Sequence, residues 1–507
     1  MSLPIEDISK ETIDAFIKAT AGVFVSTGVQ GVDLSGLVSL VPVNVPARNN
    51  TSAFPRVIAG EGSKTATWRT LLNINASQTP AAVGMDYSGS LTNFLEQDCF
   101  AAYQPVAKAG RVTLDAVAVA RNYADALAVA ELQTLNQLFI YQDEYIVNGQ
   151  AWPLGTPTLA SGNLSTSTTG GSIPATTAVY VTVSARSGAN YFDGGGTIAA
   201  TPATITTGSG GANTVTASIA AVKGAVAYDW YVGGSTASTQ WYYTTTTVAS
   251  VTITSVPTAA ASLPNLPLLA QLAPGAGVAP LATPQVAGNG HPNLADTSFS
   301  INYYNGVIAS TLGDYGATGP VTPGSGTSSG ATFIDNAGAA LTLVGGGIGL
   351  LDEINDNIWA SVQLSPTAYM VNSLQGDEIS KLILSTASAL TFLPPTDADA
   401  RTNLAGGGYI GRYINRAAGG VPVMIEVHPR VAPGTIIART DRVPFPGSNI
   451  GTVFEVRCQY DSMRFNYAAN LSPGTLGGGP RYDFEVRSNE LLINRAPVAQ
   501  AIAANVA

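Results

Sequence analysis

Apolar and polar positions change their rhythm several times along the chain. Ile5, Ile8, Ile13, Phe16 and Ile17 fall on one face of a short helix, with Ser9, Lys10, Asp14 and Lys18 on the others. From Gly28 to about Gly110, Pro42, Pro46, Pro55, Pro80 and Pro105 interrupt short Val/Leu/Ile runs, and no helical period is sustained. That pattern predicts an extended arm and a hairpin. Asn122 to Asn148 then contains neither Gly nor Pro. Ala128, Leu132, Leu135, Phe139 and Ile146 form a one-sided stripe there, predicting a long helix whose buried face is that stripe. Gly149 stands where a left-handed C-cap would end it.

The middle of the chain switches to period two. Val179, Val181 and Val183 alternate with Tyr180 and Thr182, and strand alternation is read again at Tyr228, Trp230 and Val232 and at Val248, Val251 and Ile253. Gly/Ser/Thr-rich turns separate these runs at the spacing of β-sandwiches. Residues 155–260 therefore read as an inserted all-β module. The segment KGAVAYDWYVGG (223–234) resembles the strand that carries an aromatic core residue in immunoglobulin-like and fibronectin type III modules. A Pro/Ala-rich stretch follows, and 261–329 reads as a return linker. Beyond it, Ile348–Ala360 is amphipathic, a strand is expected at Ala368–Val371, and a helix around Asp377–Leu384. Alternating strands close the chain at Val421–Val427, Phe454–Tyr460 and Tyr482–Val486.

Charge sharpens this division. Charged residues are 11% of the chain, against about 25% in an average soluble protein. From Pro153 to Gly345 there are only seven: Arg186, Asp193, Lys223, Asp229, Asp296, Asp314 and Asp335. A break this large marks the middle as inserted, with the flanks as two halves of one host domain. The net charge of −10 argues against gripping nucleic acid over a broad surface, because that affinity needs Lys and Arg to displace counterions. No apolar run is long enough to span a bilayer, and Glu6, Asp7 and Glu11 precede any apolar stretch, unlike a secretory signal. The expectation is a soluble chain made in the cytosol.

The residue types that carry chemistry are scarce. Two Cys and two His nearly exclude a structural zinc site, which needs four such ligands. His291 sits in a Gly/Pro loop and His428 on a strand, neither with a ligand-spaced neighbour; both read as satisfied or solvated. Cys99 and Cys458 read as small buried hydrophobes, without a motif-placed base. The run Gly345–Gly349 lacks the Lys-Ser/Thr of a phosphate loop and reads as a flexible joint before a helix. Asp397 and Asp399 have no closing Glu for a calcium loop and read as solvated. Asp352 and Glu353 read as part of a wet helix face. No catalytic, cofactor-binding or metal-binding residue is expected, and no cofactor; the chain reads as a non-enzyme.

The order of elements brings a resemblance into view. Arm, hairpin, long helix ending QDEYIVNG (142–149), an α/β segment, then the strands of GRYINRAAGGVPVMIEVHPRVAPGTIIAR (411–439) and a closing strand with an Ala/Pro tail (482–499) resemble the tailed-bacteriophage major capsid proteins of the Hong Kong 97-type fold. The resemblance covers roughly residues 30–150 and 330–505. It implies an α+β fold: an N-terminal helix and arm (1–50), and a peripheral-domain part (51–150) with the extended hairpin (about 62–104) and spine helix (about 122–148). The immunoglobulin-like sandwich (155–260) and return linker (261–329) would follow, then an axial domain (330–415) and peripheral-domain strands (416–507).

It also implies self-assembly into hexamers and pentamers of an icosahedral shell enclosing double-stranded DNA, without sequence-specific binding and without a membrane. Scaffold, portal and decoration proteins are the implied partners. The virion capsid, assembled in the bacterial cytoplasm, is the implied location. Lys64 and Lys108 lie in or beside the hairpin, but no partner for a covalent crosslink is identified. Trp68, Leu71, Leu72 and Ile74 lack a local core, so they are expected to be covered by another copy; the competing reading is a surface loop folded onto its own core. The module is expected to be autonomous and on the outer surface. Two other classes remain, an encapsulin-type compartment shell and a β-rich surface adhesin.

Overall fold

The computed structural model describes residues 54–58, 64–73, 95–120, 125–149, 154–155, 157–193, 202–234, 240–257, 271–272, 305–317, 319–321, 326–385, 410–444, 450–466 and 481–507. The N-terminal helix and arm, the hairpin tip with Ile74, His291, and the Asp397/Asp399 loop lie outside them. The described chain divides into two compact units.

The first unit is described over Val106–Tyr141 and Ser462–Ser488. It holds helix α1 (Leu114–Ala120) and most of α2 (Ala126–Asn148), together with parts of the strands Gln104–Thr113, Phe454–Asn466 and Arg481–Asn494. Asp125 caps α2, its Oδ1 accepting from the N–H groups of Leu127 (3.0 Å) and Ala128 (3.2 Å). Gly110 is required by close approach: a Cβ there would lie 2.3 Å from the Phe484 ring. Gly149 ends α2 with φ +75°, as the sequence predicts, and its N–H bonds Tyr145 O at 2.8 Å.

The buried face of α2 is not the predicted stripe. Ala128 and Leu132 are exposed and Leu135 and Phe139 half-buried, whereas Thr134, Leu138, Ile146 and Val147 are buried. The Thr134 hydroxyl is satisfied inside the helix, donating to Ala130 O at 2.7 Å. Farther along, Gln142, Asp143 and Glu144 are buried because Glu490, His428 and Arg430 meet them. Leu138→Ala is therefore expected to cost about 2–5 kcal/mol in denaturant unfolding. Leu132→Asp, at an exposed position, should leave subunit stability within about 0.5 kcal/mol.

The second unit spans Asn49–Pro105, Gln142–Asp461 and Asn489–Ala507, with the breaks given above. Its residues 164–272 hold two antiparallel sheets. One orders the strands Gln271–Leu272, Gln240–Thr246, Ala227–Gly233, Ala178–Arg186 and Ala203–Thr206; the other orders Ser250–Ile253, Thr214–Ser218 and Leu164–Ser167. Val179, Val181, Val183, Trp230, Val232, Val215 and Ile253 are fully buried, following the predicted alternation. The opposite face of the larger sheet is polar yet also buried, with Thr182, Ser184, Arg186 and Asp229. After it comes α3 (Gly188–Asp193).

The module rests on the chain's C-terminal segment. Asn505 Oδ1 accepts from Ala249 N (2.7 Å), and its Nδ2 donates to Asp335 Oδ1 (2.8 Å). Asp335 Oδ2 accepts from Ala221 N, at 3.1 Å. The stretch expected as linker carries structure too. Helix α4 (Val307–Leu312) is wholly buried, and Asp314–Gly316 pairs with Gly319–Val321. Val307, Ile308, Leu312 and Tyr315 are apolar enough to form core rather than tether.

A mixed six-stranded sheet orders Thr332–Asp335, Ala501–Ala504, Ile436–Arg439, Ala368–Val371, Val421–Val427 and Arg412–Asn415. Two pairs are parallel, the first with the second strand and the fourth with the fifth. The expected boundary at 415/416 is corrected here: strands from both sides of it share this one sheet. Helices α5 (Gly349–Val362) and α6 (Ser373–Ser385) bury Leu351, Ile354, Ile358 and Ile379. Gly345 and Gly346, both with positive φ, turn a hairpin between Leu343–Val344 and Gly347–Ile348. They form that turn rather than a flexible joint.

The base of the long hairpin is Thr65–Asn73 paired antiparallel with Leu95–Ala102. Trp68, Leu72, Cys99, Ala101 and Tyr103 cluster with Tyr315, Leu491 and Ile493 of the same chain. The expectation that Trp68 and Leu72 wait for another copy is thereby corrected: alternation along Thr65–Asn73 turns them onto their own core, and Leu71, on the other face of the strand, is buried by its own chain as well.

Candidate assembly surfaces

Two clusters look chemical from their residue types and are closed by their partners. Cys458, Asp461 and Glu490 place ligand atoms within 4.8 Å of one another. Arg56 is the cation among them. Its Nη2 bonds Asp461 at 2.8 Å and also bonds Glu490. Burial works against the Arg56 charge, but Glu490 and Asp461 outweigh it and hold its pKa above the ordinary value. His428, 1% exposed, faces Asp143 at 2.8 Å through Nε2, while its Nδ1 accepts from Arg430 N at 3.1 Å. That geometry puts the ring hydrogen on Nε2, in a structural pair joining a strand end to α2. Sequence spacing gave no sign of it, because Asp143 lies far away along the chain.

Burial pushes the Cys99 thiol up to about 11, so it is a poor nucleophile. Asp352, expected on a wet face, is half-buried. It accepts from Tyr413 Oη at 2.7 Å and pairs with Arg416, whereas Glu353 beside it is exposed. Lys64 is exposed, and Lys108 stands 4.7 Å over the Tyr141 ring. Among the described residues no helix is long and apolar enough to cross a membrane.

What remains exposed and chemically distinctive is surface. Beside the hairpin base lies an open groove of about 780 Å³. Leu71, Pro444 and Ile450 give it apolar walls, and Arg69, Arg442 and Arg495 bring guanidinium groups to it. Arg69 pairs with Glu96 and Asp98. Arg495 and Arg457 share Glu455. Arg442 is exposed and meets no carboxylate among the described residues. Four guanidinium groups thus stand against three carboxylates, leaving the groove positive. Burial alone would raise the Glu455 pKa, but hydrogen bonds from Arg495 and Arg457 outweigh it and bring it below the ordinary value.

A second surface is the outer face of α5. Glu353, Asp356 and Trp359, spaced three apart, are exposed, Trp359 by 40%. The third is the end of the mixed sheet at Arg412–Asn415, its last strand among the described residues, where Ile414, Val421 and Met424 are exposed while Tyr413, Val423 and Ile425 are buried. The Glu353/Asp356/Trp359 spacing was legible in the amphipathic pattern of α5. The groove was not, since it collects residues from four distant segments.

No protein-family model matches the chain, and no curated protein matches it. Among solved structures it is similar to the capsid of a native GTA particle, at 8% identity and a TM-score of 0.38, covering 97% of this chain and 98% of that one. It is similar also to the cyanophage A-1(L) capsid asymmetric unit, at 9% identity and a TM-score of 0.42, covering 94% and 97%. A third is the holo-SrpI encapsulin complex from Synechococcus elongatus PCC 7942, at 9% identity and 0.36, covering 97% and 95%. Identities and TM-scores this low fix neither the family nor the activity of this chain.

Proposed function

We propose that the chain is the major shell subunit of a tailed bacteriophage, of the Hong Kong 97-type fold, assembling as hexamers and pentamers around double-stranded DNA. The observation that carries this reading is the motif QDEYIVNG at the end of α2. It stands where the resemblance expects the end of a spine helix, with Gly149 in the left-handed conformation that such an ending needs. The chain order of hairpin, long helix, α/β sheet and late long strands supports it further.

In this reading the inserted module is immunoglobulin-like and faces outward, where many copies would let weak contacts add through avidity. Scaffold, portal and decoration proteins are its partners. Assembly takes place in the host cytoplasm.

Electron microscopy of the expressed full chain tests the reading. Closed shells with five- and six-fold capsomers are expected. A chain that stays monomeric at high concentration, with virion components present, would overturn it. Native particles filled with a cargo enzyme instead of DNA would replace the phage reading by an encapsulin-type one.

A further inference from the structure

The groove beside the hairpin base and the outer face of α5 are complementary in chemistry, and neither finds a complement among the described residues of its own chain. The groove carries a surplus guanidinium at Arg442, apolar walls at Leu71, Pro444 and Ile450, and a buried Nε–H on Arg495 with no acceptor. The helix face carries two exposed carboxylates one turn apart, Glu353 and Asp356, and then an exposed indole at Trp359.

We propose that α5 of one copy seats this face in the groove of a second copy. Asp356 and Glu353 meet Arg442 and Arg495, and Trp359 lies on the apolar wall. A second copy is the occupant because the two halves of the contact are both present on every chain, with opposite charge. The volume of the groove is within the roughly 300–1,000 Å³ of sites that enclose a ligand group, enough for an indole with a neighbouring carboxylate.

Groove and helix are different patches, so the contact is heterologous and propagates from copy to copy, closing a ring when the rotation permits. It would therefore be one of the contacts that build a capsomer, and in that it rests on the shell reading. Arginine suits the position, since its planar fork can bond a carboxylate and stack on an indole at once.

The test uses the full chain with Thr452→Cys on the groove rim and Asp356→Cys on α5. Both native cysteines are buried, so background oxidation is low. After oxidation, a ladder of covalent oligomers on a non-reducing gel is expected. Shells in the microscope without a ladder would overturn this contact and leave the shell reading standing. A ladder without shells would support the contact and sink the shell reading; neither ladder nor shells would end both.

Charge exchange provides the second measurement. Arg442→Glu should raise the concentration needed for assembly about tenfold, with an unchanged circular dichroism melt because the residue is exposed. Adding Asp356→Arg should restore assembly. Failure of the paired variant to recover would overturn the pairing.

Discussion

Arg186→Met is expected to destabilise the β-module by about 3–5 kcal/mol, while the pair Arg186→Met/Asp229→Leu should recover most of that loss. Arg186 Nε lies 2.6 Å from Asp229 Oδ2, with both residues essentially without solvent. The Thr245 hydroxyl donates to the other oxygen of Asp229, at 2.5 Å. Burial raises the Asp229 pKa, and Arg186 and Thr245 offset part of that rise. Removing Arg186 alone leaves a fully buried carboxylate without its cation, with the Thr245 hydroxyl still donating to it. Removing both charges leaves packing.

The pH dependence has a definite sign. A carboxylate whose folded pKa lies above its unfolded value costs stability as pH rises through that interval. The deficit of Arg186→Met should therefore be largest at neutral pH and shrink as the solution is acidified through the raised Asp229 pKa. Hydrogen exchange of the Ala227–Gly233 amides reads it directly. Equal losses in the single and paired variants would show that shape, not charge, sets the cost.

The strands between residues 178 and 253 were legible because they obey a local rule. Val179, Val181, Val183 and Trp230 are buried as their alternation says, since each strand needs only one neighbouring sheet to bury one face. Gly149 was legible for a similar reason, as a left-handed helix end is a property of one position. At the end of α2, the burial of Gln142, Asp143 and Glu144 depends on Glu490, His428 and Arg430, partners that no helical period encodes. The mixed sheet runs across 415/416 because Ala368–Val371 pairs in parallel with Val421–Val427, a pairing between distant segments that no local pattern announces. No pattern in the sequence singles out Arg442. Only the folded chain brings it to one groove with Arg69 and Arg495.

The hairpin provides the other large effect, and it separates folding from assembly. Trp68→Ala is expected to cost about 3–5 kcal/mol in the isolated subunit, because Trp68 packs with Leu72, Cys99 and Tyr103 against Tyr315, Leu491 and Ile493. The base is also tied by hydrogen bonds: Leu71 N donates to Arg495 O at 2.7 Å, and the Thr70 hydroxyl to Asn494 O at 3.1 Å. Removing residues 65–102 would take half of this core away and leave Leu491 and Ile493 facing water, so that deletion should yield insoluble protein. Removing only 75–93, between the paired strands, deletes none of these side chains and should leave a folded subunit with nearly the wild-type melting temperature. In the shell reading the outer hairpin lies over a neighbouring copy, so the shorter deletion should fold but fail to close shells. Sedimentation velocity would resolve capsomer-sized or smaller species from complete particles. Full-sized shells from the 75–93 deletion would remove the hairpin tip from the assembly contacts. Loss of the fold on that deletion would show that the tip, and not only the base, belongs to the subunit's own core.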